Sequence, residues 1–210
     1  FSYNHPNLQQ IPSRGQFAKD IRKIFIPETG EYWLKADYSQ QEPRLLTHFA
    51  RLVDQPGSGE VQKAYREKDL DFHQQTAEMA GVQRSLAKTI GLGVMYGMGY
   101  HKLARELDME PQEAKTMLQD FHAKVPFMKG MLEAVMNRAN SKGVIRTLLG
   151  RKCRFDLWEP TQWGVHKALP LNQAQTEYGM AIKRAYTYKA LNRLIQGSAA
   201  DQTKKAMVDV

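Results

Sequence analysis

Apolar residues recur at helical spacing through most of residues 60–140. Two stripes share the three- and four-residue steps of one helix face: Met117, Leu118, Phe121 and Val125, then Met128, Met131, Leu132 and Val135. Amphipathic helices bury such stripes, so we expect both in the core. Gly97, Gly99 and Pro126 interrupt the helical pattern, and Pro111 stands where a helix begins.

The rest of the chain mixes extended and helical patterns. The pattern predicts a strand at about 31–37, a helix near 42–52 and a short strand from Val144 to Leu149. A polar loop follows to about residue 171, and then a helix to the end of the sequence. Gln55-Pro56-Gly57-Ser58-Gly59 reads as a joint between two lobes. These patterns together predict an α+β, helix-rich fold.

An acidic residue stands where the first predicted strand ends. Asp37 opens the run D-Y-S-Q-Q-E-P-R at 37–44. A carboxylate in this position can hold a divalent cation. Taken alone, an Asp after a strand is more typical of a helix N-cap.

A second run, residues 84–97, has chemistry at regular intervals. Arg84, Lys88, Leu92 and Tyr96 follow at four-residue steps, which drift only about 40° per step around a helix. One face would offer two cations, an apolar contact and an aromatic ring, in the order of the phosphates, sugar and base of a nucleotide. The alternative is a solvated helix face. Gly91 and Gly93 each cost a helix about 1 kcal/mol, which we interpret as room for a nucleotide close to the backbone.

The two runs, D-Y-S-Q-x-E-x-R and R-x3-K-x4-G-x2-Y-G, resemble the first two signature motifs of family A DNA polymerases, which are similar to bacterial DNA polymerase I. The stretches HPNLQQIPSR at 5–14, TLLGRK at 147–152 and NRLIQGSAAD at 192–201 agree in order and spacing. The family's third signature, His-Asp-Glu, is missing, and the chain begins without Met. We therefore interpret the chain as an excerpt.

The resemblance implies part of a right-hand polymerase. Its implied domains are a palm segment at 1–59, helical fingers at 60–140 and a palm segment at 141–210, truncated before the His-Asp-Glu motif. The implied activity is template-directed transfer of deoxynucleotides from dNTPs to a primer 3′ end by two magnesium ions. The Asp37 carboxylate and the Tyr38 carbonyl would bind Mg²⁺.

The resemblance also implies the nucleotide and DNA contacts. Lys88 and Arg84 would be catalytic by neutralising the triphosphate, and Lys88 could protonate the leaving pyrophosphate. Glu42, held by Tyr96, would exclude a ribose 2′ hydroxyl. The implied nucleotide-binding residues are Tyr38, Gln40, Glu42, His73, Leu92 and Tyr96. The implied DNA-binding residues are Arg14, Arg151, Asn192 and Gln196, of which the last two could contact minor-groove acceptors that all base pairs share.

Some residues depart from the usual bacterial pattern. Gln41 and Pro43 replace aliphatic residues, and Gly91 and Leu92 stand where Asn and Phe are common. The 189–197 run and the long loop before it look more like phage replicative polymerases than bacterial repair enzymes. Two alternatives are a single-subunit, phage-type RNA polymerase, which Glu42 and the QG-x-AAD stretch disfavour, and a non-enzymatic DNA-binding fragment.

Composition agrees with this interpretation. The net charge of +8 suits a polyanionic partner such as primer–template DNA. The single cysteine, Cys153, excludes an internal disulfide framework. The sequence has neither a membrane-length apolar run nor a signal-peptide pattern, so we expect no membrane association and a cytoplasmic protein in a bacterial or phage-infected cell. The full-length enzyme is expected to be monomeric.

Overall fold

The computed structural model describes residues 11–12, 15–34, 36–67, 70–162, 164 and 166–209. Contacts divide the chain into two compact units, Phe1–Ser39 and Gln40–Val210. The domain boundaries implied by the family resemblance, after residues 59 and 140, remain predictions.

The first unit contains one short helix and extended chain. Helix α1 spans Ala18–Lys23, and Arg22 Nε donates to the Pro12 carbonyl at 3.0 Å. The strand predicted at 31–37 is wrong for the residues described there, since 31–34 and 36–38 belong to no strand. A strand needs a hydrogen-bonded neighbour, and in the described part of the chain strand pairing occurs only within residues 144–184.

The second unit is mostly helical. Its first seven helices are α2 (Gln41–Leu52), α3 (Ser58–Glu67), α4 (Phe72–Ala80), α5 (Arg84–Met95), α6 (Tyr100–Leu107), α7 (Pro111–Lys124) and α8 (Pro126–Lys142). Pro111 and Pro126 each open a helix, where a missing amide hydrogen costs nothing. The predicted helical pattern for 60–140 and its breaks are therefore confirmed.

Helix α8 lies at the centre of the core, packed against α2, α5, α7 and α10 (Ala190–Asp209). Its buried side chains include Met128, Met131 and Val135. Phe121 of α7 joins the same apolar cluster, and Met117, Leu118 and Leu132 pack against it with partial exposure. The two predicted stripes are thus core residues.

The turn at residues 55–58 connects packed helices. Gln55 N donates to the Ala50 carbonyl at 2.9 Å, and Ser58 Oγ donates to the Gln55 carbonyl at 2.6 Å. Ser58 is buried and begins α3, which packs on α2. The predicted joint therefore lies inside the second unit, between two of its helices.

Two small antiparallel sheets precede α10. The strands are β1 (Val144–Arg146), β2 (Lys152–Arg154), β3 (Leu157–Pro160), β4 (Leu169–Pro170) and β5 (Ile182–Arg184). β1 pairs with β2, and the second sheet has the order β4-β3-β5, with α9 (Leu171–Tyr178) before β5. The predicted strand at Val144 exists but ends at Arg146 rather than Leu149. The predicted loop to 171 and unbroken final helix are wrong, because strands of two to four residues show no readable periodicity.

Candidate nucleotide-binding site

Asp37 and Tyr38 belong to the first unit, and both side chains are exposed. A carboxylate and a main-chain carbonyl are oxygen donors of the kind that Mg²⁺ binds. Within the described ranges, no group of three His, Cys, Asp or Glu residues is placed to hold a metal ion. Because Mg²⁺ prefers octahedral coordination, two oxygen atoms could supply only part of a magnesium site. Arg14 lies outside the described residues.

Helix α5 separates its exposed and buried faces as predicted from its four-residue steps. Arg84 and Lys88 are exposed, Leu92 is partly buried, and Tyr96 follows directly after the helix. Ile90, on the other side of the helix, is fully buried in the core. The two cations and the aromatic ring therefore remain accessible to a ligand.

The glycines of α5 face the protein interior. Gly91 and Gly93 are both buried. A Cβ atom at Gly91 would lie 3.7 Å from Met128 Cε, and one at Gly93 would lie 1.9 Å from Met98 Cε. The interpretation that they leave room for a nucleotide is wrong, since protein side chains occupy that space. Gly93 allows Met98 to pack closely, whereas a Cβ atom at Gly91 would make only an ordinary van der Waals contact with Met128.

Asp71 caps helix α4 and binds Arg84. One carboxylate oxygen accepts hydrogen bonds from the amides of His73 at 3.0 Å and Gln74 at 3.1 Å. The other oxygen accepts from Arg84 Nε at 2.8 Å, and Arg84 Nη2 lies 2.7 Å from it. Burial opposes ionisation, but the hydrogen bonds from Arg84 and the two amides outweigh it and lower the pKa of Asp71.

His73 lies in the first turn of α4 with two cations of α5 near it. Burial lowers the pKa of His73; the charge of Asp71 opposes this effect, while Lys88 and Arg84 reinforce it. Its Nδ1 atom is buried and has no hydrogen-bond partner. Burial and the two cations therefore favour the neutral imidazole.

Glu42, in the first turn of α2, is bound by Tyr96. The Tyr96 hydroxyl donates to Glu42 Oε2 at 2.6 Å. Burial, this hydrogen bond and the carboxylate charge raise the pKa of Tyr96, and a hydrogen bond with Gln196 opposes the rise. The link between Glu42 and Tyr96 that the family resemblance implies is present. It fixes a carboxylate beside the C-terminal end of α5.

The amide of Gln40 bonds with main-chain atoms on both sides of Asp71. Its Nε2 donates to the Leu70 carbonyl at 2.6 Å, and its Oε1 accepts from Phe72 N at 2.8 Å. Next to it, Gln41 Nε2 reaches α10 and donates to the Ala199 carbonyl at 3.2 Å. Two adjacent glutamines therefore contact different helices. The spacing of the motif gave no indication of this.

Arg151 is held by Asp201 of α10. Its Nε donates to Asp201 Oδ1 at 2.8 Å, and its Nη2 donates to the Gly197 carbonyl at 2.8 Å. Thr147 Oγ1 donates to the other Asp201 oxygen. Burial opposes ionisation of Asp201, but the bonds from Thr147 and Arg151 outweigh it and lower its pKa. Sequence reasoning missed Asp201, although it ends the quoted NRLIQGSAAD stretch.

Asn192 and Gln196 lie one helical turn apart on α10, the first partly buried and the second exposed. Their amides can therefore face a common ligand along one side of the helix. No helix in the described ranges is long and apolar enough to cross a membrane.

The arrangement defines a helical site that presents cations, a fixed carboxylate and helix-borne amides. The profile of DNA polymerase family A matches residues 1–210. The chain belongs to this family.

Relatives and a solved structure agree. The chain is 37% identical to a DNA-directed DNA polymerase of Pseudomonas phage M6, with 99% of this chain and 34% of that protein covered. It is 33% identical to DNA polymerase I of Pseudomonas aeruginosa, with 100% and 21% covered. It superposes with a TM-score of 0.72 and 28% identity on the polymerase domain of Pol1 from M. smegmatis, determined in complex with DNA primer-template and dNTP, with 99% and 34% covered. The chain thus spans about a third or less of these proteins.

Proposed function

We propose that this chain forms part of an enzyme that carries out template-directed DNA synthesis, adding deoxynucleotides from dNTPs to a primer 3′ end. The observation that carries the proposal is that Arg84, Lys88 and Tyr96 follow one another at four-residue steps along α5, with Glu42 bound to Tyr96 and with the two cations acting electrostatically on His73. Cations and a neutral imidazole suit phosphates, whereas a fixed carboxylate suits discrimination at a sugar.

Arg84 and Lys88 would bind the triphosphate. Arg84 is oriented by Asp71 and remains half exposed, so part of its guanidinium can reach a phosphate oxygen. Lys88, one turn along α5, offers an exposed ammonium group. It could neutralise developing charge and protonate the leaving pyrophosphate. His73 would donate a hydrogen bond to a phosphate through Nε2, its other ring nitrogen.

Leu92, Tyr96 and Glu42 would contact the sugar and base. Leu92 is one turn beyond Lys88, on the same face of α5. Tyr96 holds Glu42 at 2.6 Å, and the carboxylate would exclude a 2′ hydroxyl.

Asp37 and Tyr38 would bind Mg²⁺ through a carboxylate and a carbonyl oxygen. When bound, such ions activate the attacking oxygen and stabilise the leaving group. Asn192 and Gln196 would contact the minor groove of the primer–template duplex. Arg151 would support the 147–151 turn near the DNA through its bonds to Asp201 and Gly197. The full-length enzyme would act as a monomer.

The test is primer extension by the full-length protein that contains this chain. We expect Lys88→Ala to lower the rate by at least about 100-fold, as general acid and electrostatic groups typically contribute. Lys115→Ala, which removes an exposed lysine of α7, is the matched control and should extend normally. Extension with ribonucleotides only would favour the RNA polymerase alternative. DNA binding without any extension would favour the non-enzymatic one.

A further inference from the structure

Gln40 has an unusual backbone conformation for a residue with a side chain. It immediately precedes α2 with φ 52 and ψ 44, in the left-handed region. Non-glycine residues adopt this region uncommonly, and surrounding contacts must hold them there. The side chain of Gln40 is partly buried, and both ends of its amide are engaged. This conformation therefore accompanies a specific set of contacts.

Those contacts hold the chain on either side of Asp71. Gln40 Nε2 donates to the carbonyl of residue 70 at 2.6 Å, and Oε1 accepts the amide of residue 72 at 2.8 Å. The hydroxyl of Tyr65, on α3, lies 3.4 Å from the same Oε1 atom. The Arg44 guanidinium stacks on the Tyr65 ring, with its central carbon 4.4 Å from the ring centroid. The Gln40 amide thus joins the start of α2, α3 and the start of α4.

Asp71 transmits this placement to the phosphate-binding groups. One of its oxygens caps α4 through the amides of His73 and Gln74, and the other binds Arg84. The position of Asp71 therefore determines where the α4 N-terminus and the Arg84 guanidinium lie. A shift of Asp71 by a few tenths of an ångström would move both groups.

We propose that Gln40 is a positioning residue for the triphosphate, acting through Asp71 on Arg84 and His73 without contacting the nucleotide itself. The inference rests on the proposed function. It replaces the nucleotide-binding role that the family resemblance suggested for Gln40. The amide that would have reached a nucleotide is used to fix the main chain at residues 70 and 72.

The experiment compares two neighbouring glutamines in the full-length polymerase. Gln40→Met keeps the length of the side chain and removes the hydrogen bonds that the side-chain amide makes with residues 70 and 72. Gln41→Met is the matched control, because the Gln41 amide bonds with α10 instead of α4. We expect Gln40→Met to raise the KM for dNTP by about tenfold, as loss of one well-aligned charge-assisted contact does, with a smaller change in kcat. Gln41→Met should leave KM unchanged.

Inorganic pyrophosphate provides the readout that separates positioning from general damage. It has phosphates but no sugar or base, so its inhibition constant should rise in parallel with KM in Gln40→Met. In an Arg84→Ala background, Gln40→Met should have little further effect on either constant, because both changes act on the same contact. Gln40→Gly also lacks the side-chain amide, but glycine adopts the left-handed backbone conformation without strain. It should therefore raise both constants as Gln40→Met does, and agreement between the two variants would exclude backbone strain from methionine as the cause.

The outcomes distinguish the two proposals. An inactive wild-type enzyme would overturn the proposed function. An active wild-type enzyme in which Gln40 and Gln41 variants have the same KM, or in which the effects of Gln40→Met and Arg84→Ala multiply, would overturn the positioning role of Gln40 alone.

Discussion

Replacing Glu42 by Ala should admit ribonucleotides while sparing the use of deoxynucleotides. Tyr96 holds the Glu42 carboxylate by a 2.6 Å hydrogen bond, so the side chain has one preferred position instead of many. Truncation to Ala removes the carboxylate and opens space for a 2′ hydroxyl. The exposed cations of α5 stay in place, so binding of the triphosphate should persist.

The expected size follows from the cost of overpacking. Forcing an extra group into a filled site costs about 1–3 kcal/mol, and about 1.4 kcal/mol corresponds to a factor of ten. Glu42→Ala should therefore raise the ribo-to-deoxynucleotide ratio of kcat/KM about 5- to 150-fold. Tyr96→Phe removes only the hydrogen bond between two partly exposed groups, so we expect it to raise the same ratio by about 2- to 10-fold.

Single-nucleotide insertion kinetics on a primer–template, with matched dNTP and rNTP, measure the ratio. Glu42→Gln is the isosteric control: it keeps the volume and an acceptor for Tyr96, so its ratio should stay within about threefold of wild type. If Glu42→Gln raised the ratio as much as Glu42→Ala, charge and not volume would set the selectivity. An unchanged ratio in Glu42→Ala would refute the role of Glu42 in excluding ribonucleotides.

Two other residues give independent tests. Leu92→Tyr should raise dideoxynucleotide incorporation relative to dNTP, because a phenolic hydroxyl can replace the missing 3′ hydroxyl as a hydrogen-bonding group; an equal ratio in an active variant would withdraw the sugar-facing assignment. Asp201→Asn should lower the free energy of unfolding by about 1–3 kcal/mol in urea, since a nearly buried acceptor of a charged hydrogen bond is lost. Asp209→Asn, which breaks an exposed pair with Lys205, should cost almost nothing. The pKa of Asp201 is lowered in the folded protein, so the ionised carboxylate stabilises the fold at pH values above its unfolded pKa of about 3.9. This stabilisation is lost as pH falls through the folded pKa. The free energies of unfolding of the Asn variant and of wild type should therefore become equal in acid.

The helices were predictable because they are long enough for periodicity to show. The stripes around Phe121 and Met131 are buried in the structure, and the prolines at 111 and 126 open helices. The exposed and buried faces of α5 also follow from spacing alone. Such patterns depend only on which side of a helix meets the core.

Apart from the bond between Glu42 and Tyr96, which the family resemblance implied, contacts between elements were not predictable. The Asp201 network spans about fifty residues of sequence from Arg151, and the Gln40 amide reaches residues thirty positions away. Nothing in local spacing distinguishes Gln40, which bonds with the start of α4, from Gln41, which bonds with α10. The wrong interpretation of Gly91 and Gly93 has the same origin. Gly91 faces Met128 of α8, and Gly93 faces Met98 in the turn after α5, which the spacing within α5 could not indicate.

The partners of Gln40 at residues 70 and 72 are main-chain atoms, and this affects how these positions can vary among related sequences. Any residue at position 70 offers a carbonyl, and any residue except proline at position 72 offers an amide hydrogen, so the contact with Gln40 sets no requirement on these side chains beyond what core packing of Phe72 demands. Substitutions at these positions need no compensating change at Gln40. Correlated substitution, which reveals contacts between side chains, should therefore give no signal for this contact. In an alignment, Gln40 would be invariant without any partner that varies with it.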